Sequence, residues 1–140
     1  MNVINKHKAT PEEFRAAVYI GRGSPLGNRY IIGQDGTRDE VVEKYRKWLI
    51  KKLINRDPIV EVAFRNLKPE DTLMCYCAPK SCHGDVIKVF YQELCMGGVE
   101  YDLALRMFKE RHSLDRIDYL PSEDGITHIN VWSKAKTPLG

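Results

Sequence analysis

Apolar and polar positions recur along this chain with two different periods, which predict helices in some stretches and strands in others. The clearest helix covers residues 37–55, where apolar side chains recur every three or four positions and the opposite face is charged. Thr37 followed by Glu40 has the spacing of a capping box and marks the helix start. The positions predicted to face the core are Val41, Val42, Tyr45, Trp48, Leu49 and Leu53.

Strands are predicted in four stretches, and a fifth stretch has two interpretations. Short apolar runs at residues 17–20 and 72–77 are typical of buried strands, and residues 1–8 form either a short arm or an edge strand. Alternating patterns at residues 116–120 and 126–132, joined by a turn-rich connection, indicate a C-terminal β-hairpin.

Helices alternate with these strands. A helix of about one turn begins after Thr10, and others are predicted at about residues 57–67, 82–95 and 99–111. This order favours an α/β fold, a small Rossmann-like sheet with parallel central strands, flanking helices and the C-terminal β-hairpin.

One domain is expected over residues 1–140. Its core covers about residues 17–95, a C-terminal helix and hairpin extension covers about 98–133, and residues 134–140 form a tail. The 43% share of hydrophobic residues is that of a globular protein, so a packed core is expected.

Charge and hydropathy narrow the classes of function. No apolar run approaches the ~20 residues that span a bilayer, and the N-terminal stretch is polar, so we expect no membrane association, no secretory signal and a cytoplasmic location. In that reducing compartment the cysteines are expected to be thiols, metal ligands or catalytic groups. The net charge of +3 comes from dispersed basic residues, so nucleic acid is not a required partner.

The first stretch that suggests chemistry is the glycine loop, residues 21–28, which directly follows a predicted strand. Three glycines among its first seven positions allow unusual backbone angles and a close approach to a ligand. The guanidinium of Arg22 suits phosphate or carboxylate. Gly23, Ser24 and Asn28 are further ligand-binding candidates, and a purely structural turn is the alternative.

The second is the cysteine loop, residues 78–85, which joins a predicted strand to a helix start. Free backbone N–H groups and the positive helix end make such a loop an anion site, with Ser81, Gly84 and Asp85 as ligand-binding candidates. A thiol at that helix start is expected to have a lowered pKa, so Cys82 and His83 are the catalytic candidates.

Zinc is an alternative use of the same stretch. Cys75, Cys77, Cys82 and His83 supply four soft ligands, although their spacing is not the paired pattern of most structural zinc sites. No other cofactor is predicted. For Cys75 and Cys95 a third interpretation, a buried thiol that packs as a small apolar group, carries more weight.

Both loops follow strands, and ligands of parallel sheets bind beyond the carboxyl ends of the strands. If the two strands are neighbours, the loops share one mouth. This favours a pocket for a phosphorylated small molecule.

The two loops also carry a family resemblance. The sequences VYIGRGSPLGN at residues 18–28 and CYCAP and CHGDV at residues 75–79 and 82–86 resemble the domain of unknown function 4326 family of phages and bacteria, over about residues 17–95. Arg29 stands where that family usually has proline. The resemblance implies a grouping and no activity. The Cys-His pair is also similar to Rossmann-like domains in which arginine commonly follows the histidine, whereas Gly84 stands here.

The last residues carry a second likeness. Residues 129–140 resemble the opening strand of ADP-ribose-processing glycosidase domains (the NADAR type), and the chain stops where such a domain would begin. This likeness implies ADP-ribose or another nucleotide as the ligand.

Together these observations predict a phage-type accessory protein that binds, and in one version processes, a nucleotide or ADP-ribose derivative, in the host cytoplasm if a phage encodes it. Whether it is an enzyme stays open. The alternatives are a non-enzymatic ligand sponge or host-protein-binding module, and a small zinc-binding domain.

Overall fold

The computed structural model describes residues 1–77 and 82–113. These residues form three strands and five α-helices, with one turn of 3-10 helix after the first strand. In chain order they are β1 (Asn2–Asn5), α1 (Pro11–Ala16), β2 (Val18–Tyr19), α2 (Arg38–Ile54), α3 (Pro58–Arg65), β3 (Thr72–Cys75), α4 (His83–Cys95) and α5 (Tyr101–Arg111).

The strands form one parallel sheet in the order β1-β3-β2. Val3 of β1 and Val18 of β2 both pair with Leu73, so β3 is the central strand. Residues 73–75 of β3 are accordingly buried. The predicted α/β class with parallel strands is confirmed, and residues 1–8 supply an edge strand. β3 ends two residues earlier than predicted, so Cys77 lies outside it.

Local signals account for the helix starts. Thr10 and Thr37 each accept a hydrogen bond from the backbone N–H three residues later, and the glutamate there bonds back to the cap. Each capping box satisfies backbone N–H groups that the first turn leaves unpaired. The predicted starts of α1 and α2 are therefore confirmed.

The core lies between the sheet and the helices packed against it. From α2, Tyr45, Leu49 and Leu53 are fully buried, and Trp48 is 7% exposed. Phe90 of α4 meets Phe108 of α5 edge to face, with ring centroids 5.0 Å apart. The predicted apolar stripe of α2 therefore faces the core, apart from the half-buried Val42.

Within the described ranges, no helix combines the length and the apolar character that crossing a membrane requires. The predicted hairpin strands, residues 116–120 and 126–132, and the tail at 134–140 lie outside those ranges.

Candidate functional site

The glycine loop and the start of α4 meet at one edge of the sheet. β2 and β3 are adjacent and parallel, so the segments that follow them leave at the same edge. The Ile20 N–H donates to the Met74 carbonyl at 3.0 Å and extends the pairing beyond β2. The two strands are therefore neighbours, which is the condition under which a shared mouth was predicted. Residues 78–81 of the cysteine loop lie outside the described residues, so the shared mouth itself stays a prediction.

A cavity of about 310 Å³ lies at this edge. Its lining comes from the glycine loop, the segment that follows it, the first turns of α2, the end of β3 and the start of α4. These residues are Gly21, Arg22, Asn28, Tyr30, Ile31, Ile32, Arg38, Val41, Val42, Cys75, Tyr76, Cys77, Cys82 and His83.

The glycine loop is a compact double turn. The Ser24 N–H donates to the Gly21 carbonyl at 3.1 Å, and the Gly27 N–H donates to the Ser24 carbonyl at 3.0 Å. A Cβ on Gly27 would lie 2.4 Å from the Gly21 oxygen, so only glycine fits there. The buried Tyr45 hydroxyl donates to the Leu26 carbonyl at 2.7 Å and attaches the loop to α2. The loop is thus a tight turn as well as a cavity wall.

The four residues of the glycine loop that were predicted to bind ligand differ in their positions and contacts. Arg22 lines the cavity with an exposed side chain. The Asn28 amide is already engaged, donating to the Val41 carbonyl at 3.2 Å and accepting from the Tyr30 N–H at 2.9 Å. Asn28 therefore positions the next segment of the cavity wall.

Gly23 and Ser24 line a second, shallower depression of about 280 Å³, to which Arg22 and Asn28 also contribute. The Ser24 hydroxyl donates to the Gly21 carbonyl at 2.7 Å, so it serves the turn itself.

The first turn of α4 contains two further residues that were predicted to bind ligand, Gly84 and Asp85. Cys82 is the helix cap, and its sulfur accepts from the Gly84 N–H at 3.3 Å, while the Asp85 carboxylate accepts from the Cys82 N–H at 3.4 Å. Gly84 is buried, with Val3 and Ile20 directly above its Cα. Gly84 and Asp85 therefore shape the helix start beside the cavity. Ser81 lies outside the described residues.

His83 is buried at the base of the cavity. Its Nε2 is hydrogen-bonded to the Ile20 carbonyl. Because a carbonyl only accepts, Nε2 carries the proton and Nδ1 is left as an acceptor. Burial lowers the pKa of His83, and the nearby charge of Arg22 lowers it further. The imidazole is therefore neutral near pH 7 and able to accept a proton at Nδ1.

Two thiols lie side by side next to His83. The Cys75 and Cys82 sulfurs are 3.4 Å apart and buried, and the Cys77 N–H donates to the Cys75 sulfur at 3.3 Å. The hydrogen bond to Cys75 and burial both raise the pKa of Cys82. Together they exceed the effect of the hydrogen bond from the Gly84 N–H, which lowers this pKa. The expected lowering of this pKa was wrong, because desolvation and the neighbouring sulfur dominate the helix end. The catalytic roles of Cys82 and His83 stay predictions.

The zinc alternative also stays a prediction. Among the described residues, no three or more His, Cys, Asp or Glu side chains are grouped as metal ligands. The Nε2 atom of His83 is engaged by Ile20, so a metal there would require Nδ1 or a rotated ring.

Sequence reasoning missed half of the cavity lining. Arg38, in the first turn of α2, brings a second guanidinium, and Tyr30, Ile31 and Ile32 form an apolar wall. The sequence signal for that wall is a pair of adjacent isoleucines directly before a turn, outside every predicted helix and strand. In the structure both side chains are exposed.

Tyr76 is also at the cavity. Its hydroxyl accepts from the Lys6 ammonium at 3.0 Å, and this hydrogen bond lowers the pKa of Tyr76. The ammonium of Lys6 also lies over the Tyr19 ring, 5.0 Å from the centroid. Tyr76 is therefore held in place at the rim.

Comparison with known proteins agrees with the motifs in the two loops. Residues 3–93 match the family described as Domain of unknown function (DUF4326). The chain is 34% identical over 88 residues to the "Uncharacterized 12.4 kDa protein in nrdA-td intergenic region" of Enterobacteria phage T4, covering 61% of this chain and 71% of that protein. No solved structure matches the chain. With the family match spanning well over half of its residues, including β1 to β3 and both loops, the chain belongs to the DUF4326 family.

Proposed function

We propose that this DUF4326 protein binds a nucleotide or a related phosphorylated small molecule, such as an ADP-ribose derivative, in the cavity between the glycine loop and α4. The observation that carries the proposal is the combination of two guanidiniums and an apolar wall around one cavity, beyond the carboxyl ends of parallel strands. A Rossmann-like placement of the ligand and action in the host cytoplasm belong to the same proposal.

Arg22 is the proposed phosphate ligand. Its side chain is exposed at the mouth, and none of the carboxylates in the described part of the chain forms an ion pair with it. A guanidinium in that position can donate two parallel hydrogen bonds to phosphate oxygens. Arg38, half-buried in the first turn of α2, adds a second positive group beside a helix N-terminus.

The apolar wall favours a ligand that carries a nucleobase over inorganic phosphate. Tyr30, Ile31 and Ile32 line the cavity together with Val41 and Val42. Such surfaces accept the flat face of a base, and aromatic rings add stacking. At about 310 Å³ the cavity lies at the lower end of the range of ligand pockets, about 300–1,000 Å³. A mononucleotide-sized portion would fill it, and a larger ligand would extend past Tyr76.

Processing of the ligand would depend on His83. A neutral imidazole with Nδ1 as acceptor is suited to take a proton from a hydroxyl or water. The raised pKa of Cys82 argues against covalent catalysis by that thiol, since the neutral form is a poor nucleophile. The same observation favours the second candidate, a non-enzymatic ligand sponge.

Equilibrium titration with ADP and ADP-ribose, with inorganic phosphate as the comparison, tests binding. Arg22→Ala should lose about 1.5–3 kcal/mol of charged hydrogen bonding, which is roughly a tenfold to hundredfold weaker affinity. Urea unfolding should scarcely change, because the side chain is exposed. Arg22→Lys should recover only part of the affinity, since an ammonium lacks the planar fork.

Arg29→Ala is the matched control. Arg29 is an exposed arginine of the same segment that lines only the shallower depression. The Arg29→Ala variant should bind ADP with the same affinity as the wild type. Equal losses in both variants, or no binding of either nucleotide by the wild type, would refute the proposal.

Chromatography of the ligand after long incubation separates the two candidates. An enzyme consumes many equivalents, and His83→Gln should then reduce the rate by roughly 10²–10⁴ with affinity retained. A sponge returns intact ligand in one-to-one amount.

A further inference from the structure

Cys75 and Cys82 form a dithiol at the base of the cavity. Cys75 ends β3 and Cys82 caps α4, and their sulfurs lie 3.4 Å apart. Their exposures are 1% and 2%, yet both residues line the cavity, so the cavity is their route to solutes. A disulfide needs an S–S separation of about 2.05 Å, so the sulfurs must approach by little more than an ångström.

We propose that this pair is an oxidation site at which a hydroperoxide forms an intramolecular Cys75–Cys82 disulfide. One thiol loses its proton, its thiolate attacks a peroxide oxygen, and the O–O bond breaks to give a sulfenic acid and hydroxide, which takes up that proton and leaves as water. Because the pKa of Cys82 is raised, attack by this thiol should be slow near pH 7 and become faster as the pH rises. The second sulfur attacks the sulfenic sulfur, the S–O bond breaks, and its proton leaves with the hydroxyl as a second water. In sum, two thiols and hydrogen peroxide give one disulfide and two waters.

The geometry selects these two sulfurs among the four cysteines. Cys75 and Cys82 come from different elements, and the fold brings their sulfurs into contact, whereas Cys77 is half-buried and lies beyond the end of β3. Cys95 is exposed at the opposite end of α4. Backbone N–H groups of residues 77 and 84 hold the Cys75 and Cys82 sulfurs, each at 3.3 Å, so the pair is fixed before oxidation.

A bond between these sulfurs would tie the end of β3 to the first residue of α4. It would also alter the base of the cavity, where His83 directly follows Cys82 in the chain. Resting on the proposed function, we infer that oxidation weakens nucleotide binding and that reduction restores it.

The test treats the full reduced chain with hydrogen peroxide, blocks remaining thiols with N-ethylmaleimide, and maps tryptic peptides without reduction. Trypsin cleaves after Lys80, so a bond between Cys75 and Cys82 joins two peptides with the loss of two hydrogens. The thiol count should fall from four to two, because each disulfide consumes two thiols.

Three variants make the assignment specific. Cys77→Ser and Cys95→Ser should keep the cross-link, and Cys82→Ser should abolish it, with serine still able to cap α4. A cross-link through Cys77 or Cys95, or oxidation of Cys95 with Cys75 and Cys82 still reduced, would overturn the proposal.

Binding of ADP before and after oxidation tests the coupling. An affinity loss of about tenfold or more, reversed by dithiothreitol, is expected. Equal affinities would overturn the coupling. Absence of ADP binding by the reduced protein would refute the proposed function and leave the mapped disulfide standing.

Discussion

Gly84 provides a sharp test of how the site is assembled. The helix start that carries Cys82 and His83 lies so close to the sheet that a Cβ on Gly84 would be 3.0 and 3.2 Å from the two Val3 methyls. It would also be 3.2 Å from the Ile20 Cδ1. Neither neighbour can easily relieve this contact. Rotation of the Val3 side chain would only replace one methyl by the other, and Ile20 is fully buried, where close packing leaves little free space to move into. Gly84→Ala should therefore push α4 away from β1 and from Ile20, the residue that follows β2.

Two opposing terms set the size of the effect. Overpacking a tight contact costs about 1–3 kcal/mol, while replacing glycine in a helix by alanine returns at most about 1 kcal/mol. Because Gly84 is in the first turn, the gain should be smaller. We expect a net loss of about 0.5–2 kcal/mol in the free energy of unfolding.

Urea unfolding of the two proteins measures this difference, and Gly97→Ala is the control. Gly97 follows α4, and a Cβ there would lie at an ordinary 3.5 Å from the Glu93 carbonyl. Its variant should be neutral or gain up to about 1 kcal/mol through the unfolded chain. If Gly84→Ala is as stable as the wild type or more so, the close packing of α4 on Val3 and Ile20 is refuted.

Three further predictions concern the core around the cavity. Tyr45→Phe should cost about 1–3 kcal/mol in urea unfolding, because the buried Leu26 carbonyl loses its donor; a neutral result would show that water replaces it. Trp48→Ala should cost about 3–5 kcal/mol as a large core truncation, and a loss below about 1 kcal/mol would contradict its core position. Since burial holds the pKa of His83 below its ordinary value, the unfolded chain binds more protons, and stability should fall as the pH drops below about 6.5. His83→Gln should show a weaker decline in urea midpoints over that range, and parallel profiles would argue that His83 is not desolvated.

Local patterns determined much of the architecture before any contact was known. The capping boxes at Thr10 and Thr37, and the spacing of Tyr45, Trp48 and Leu49, depend on neighbours within a few residues. Such short-range signals can be recognised in the sequence because the interacting residues are only three or four positions apart, and the helix itself brings them together. The family motifs likewise marked both loops.

The composition of the site was decided by contacts between distant segments. Asn28 was predicted to hold ligand, but the tertiary structure engages its amide with Val41 and Tyr30. Arg38 came to the cavity only because α2 starts beside the ends of β2 and β3. The bond to Tyr30 is local, two residues along the chain, whereas the bond to Val41 and the place of Arg38 depend on how more distant segments pack.

The charge state of the thiol shows the same division most clearly. From its place at a helix start, the sequence predicted a lowered pKa for Cys82, and a helix end does favour the thiolate. The fold buries that sulfur against Cys75, seven residues earlier in the chain, and thereby raises the pKa. Sequence alone determined which groups stand at the helix start, whereas desolvation and the neighbouring sulfur, which decide their protonation, exist only once the chain has packed.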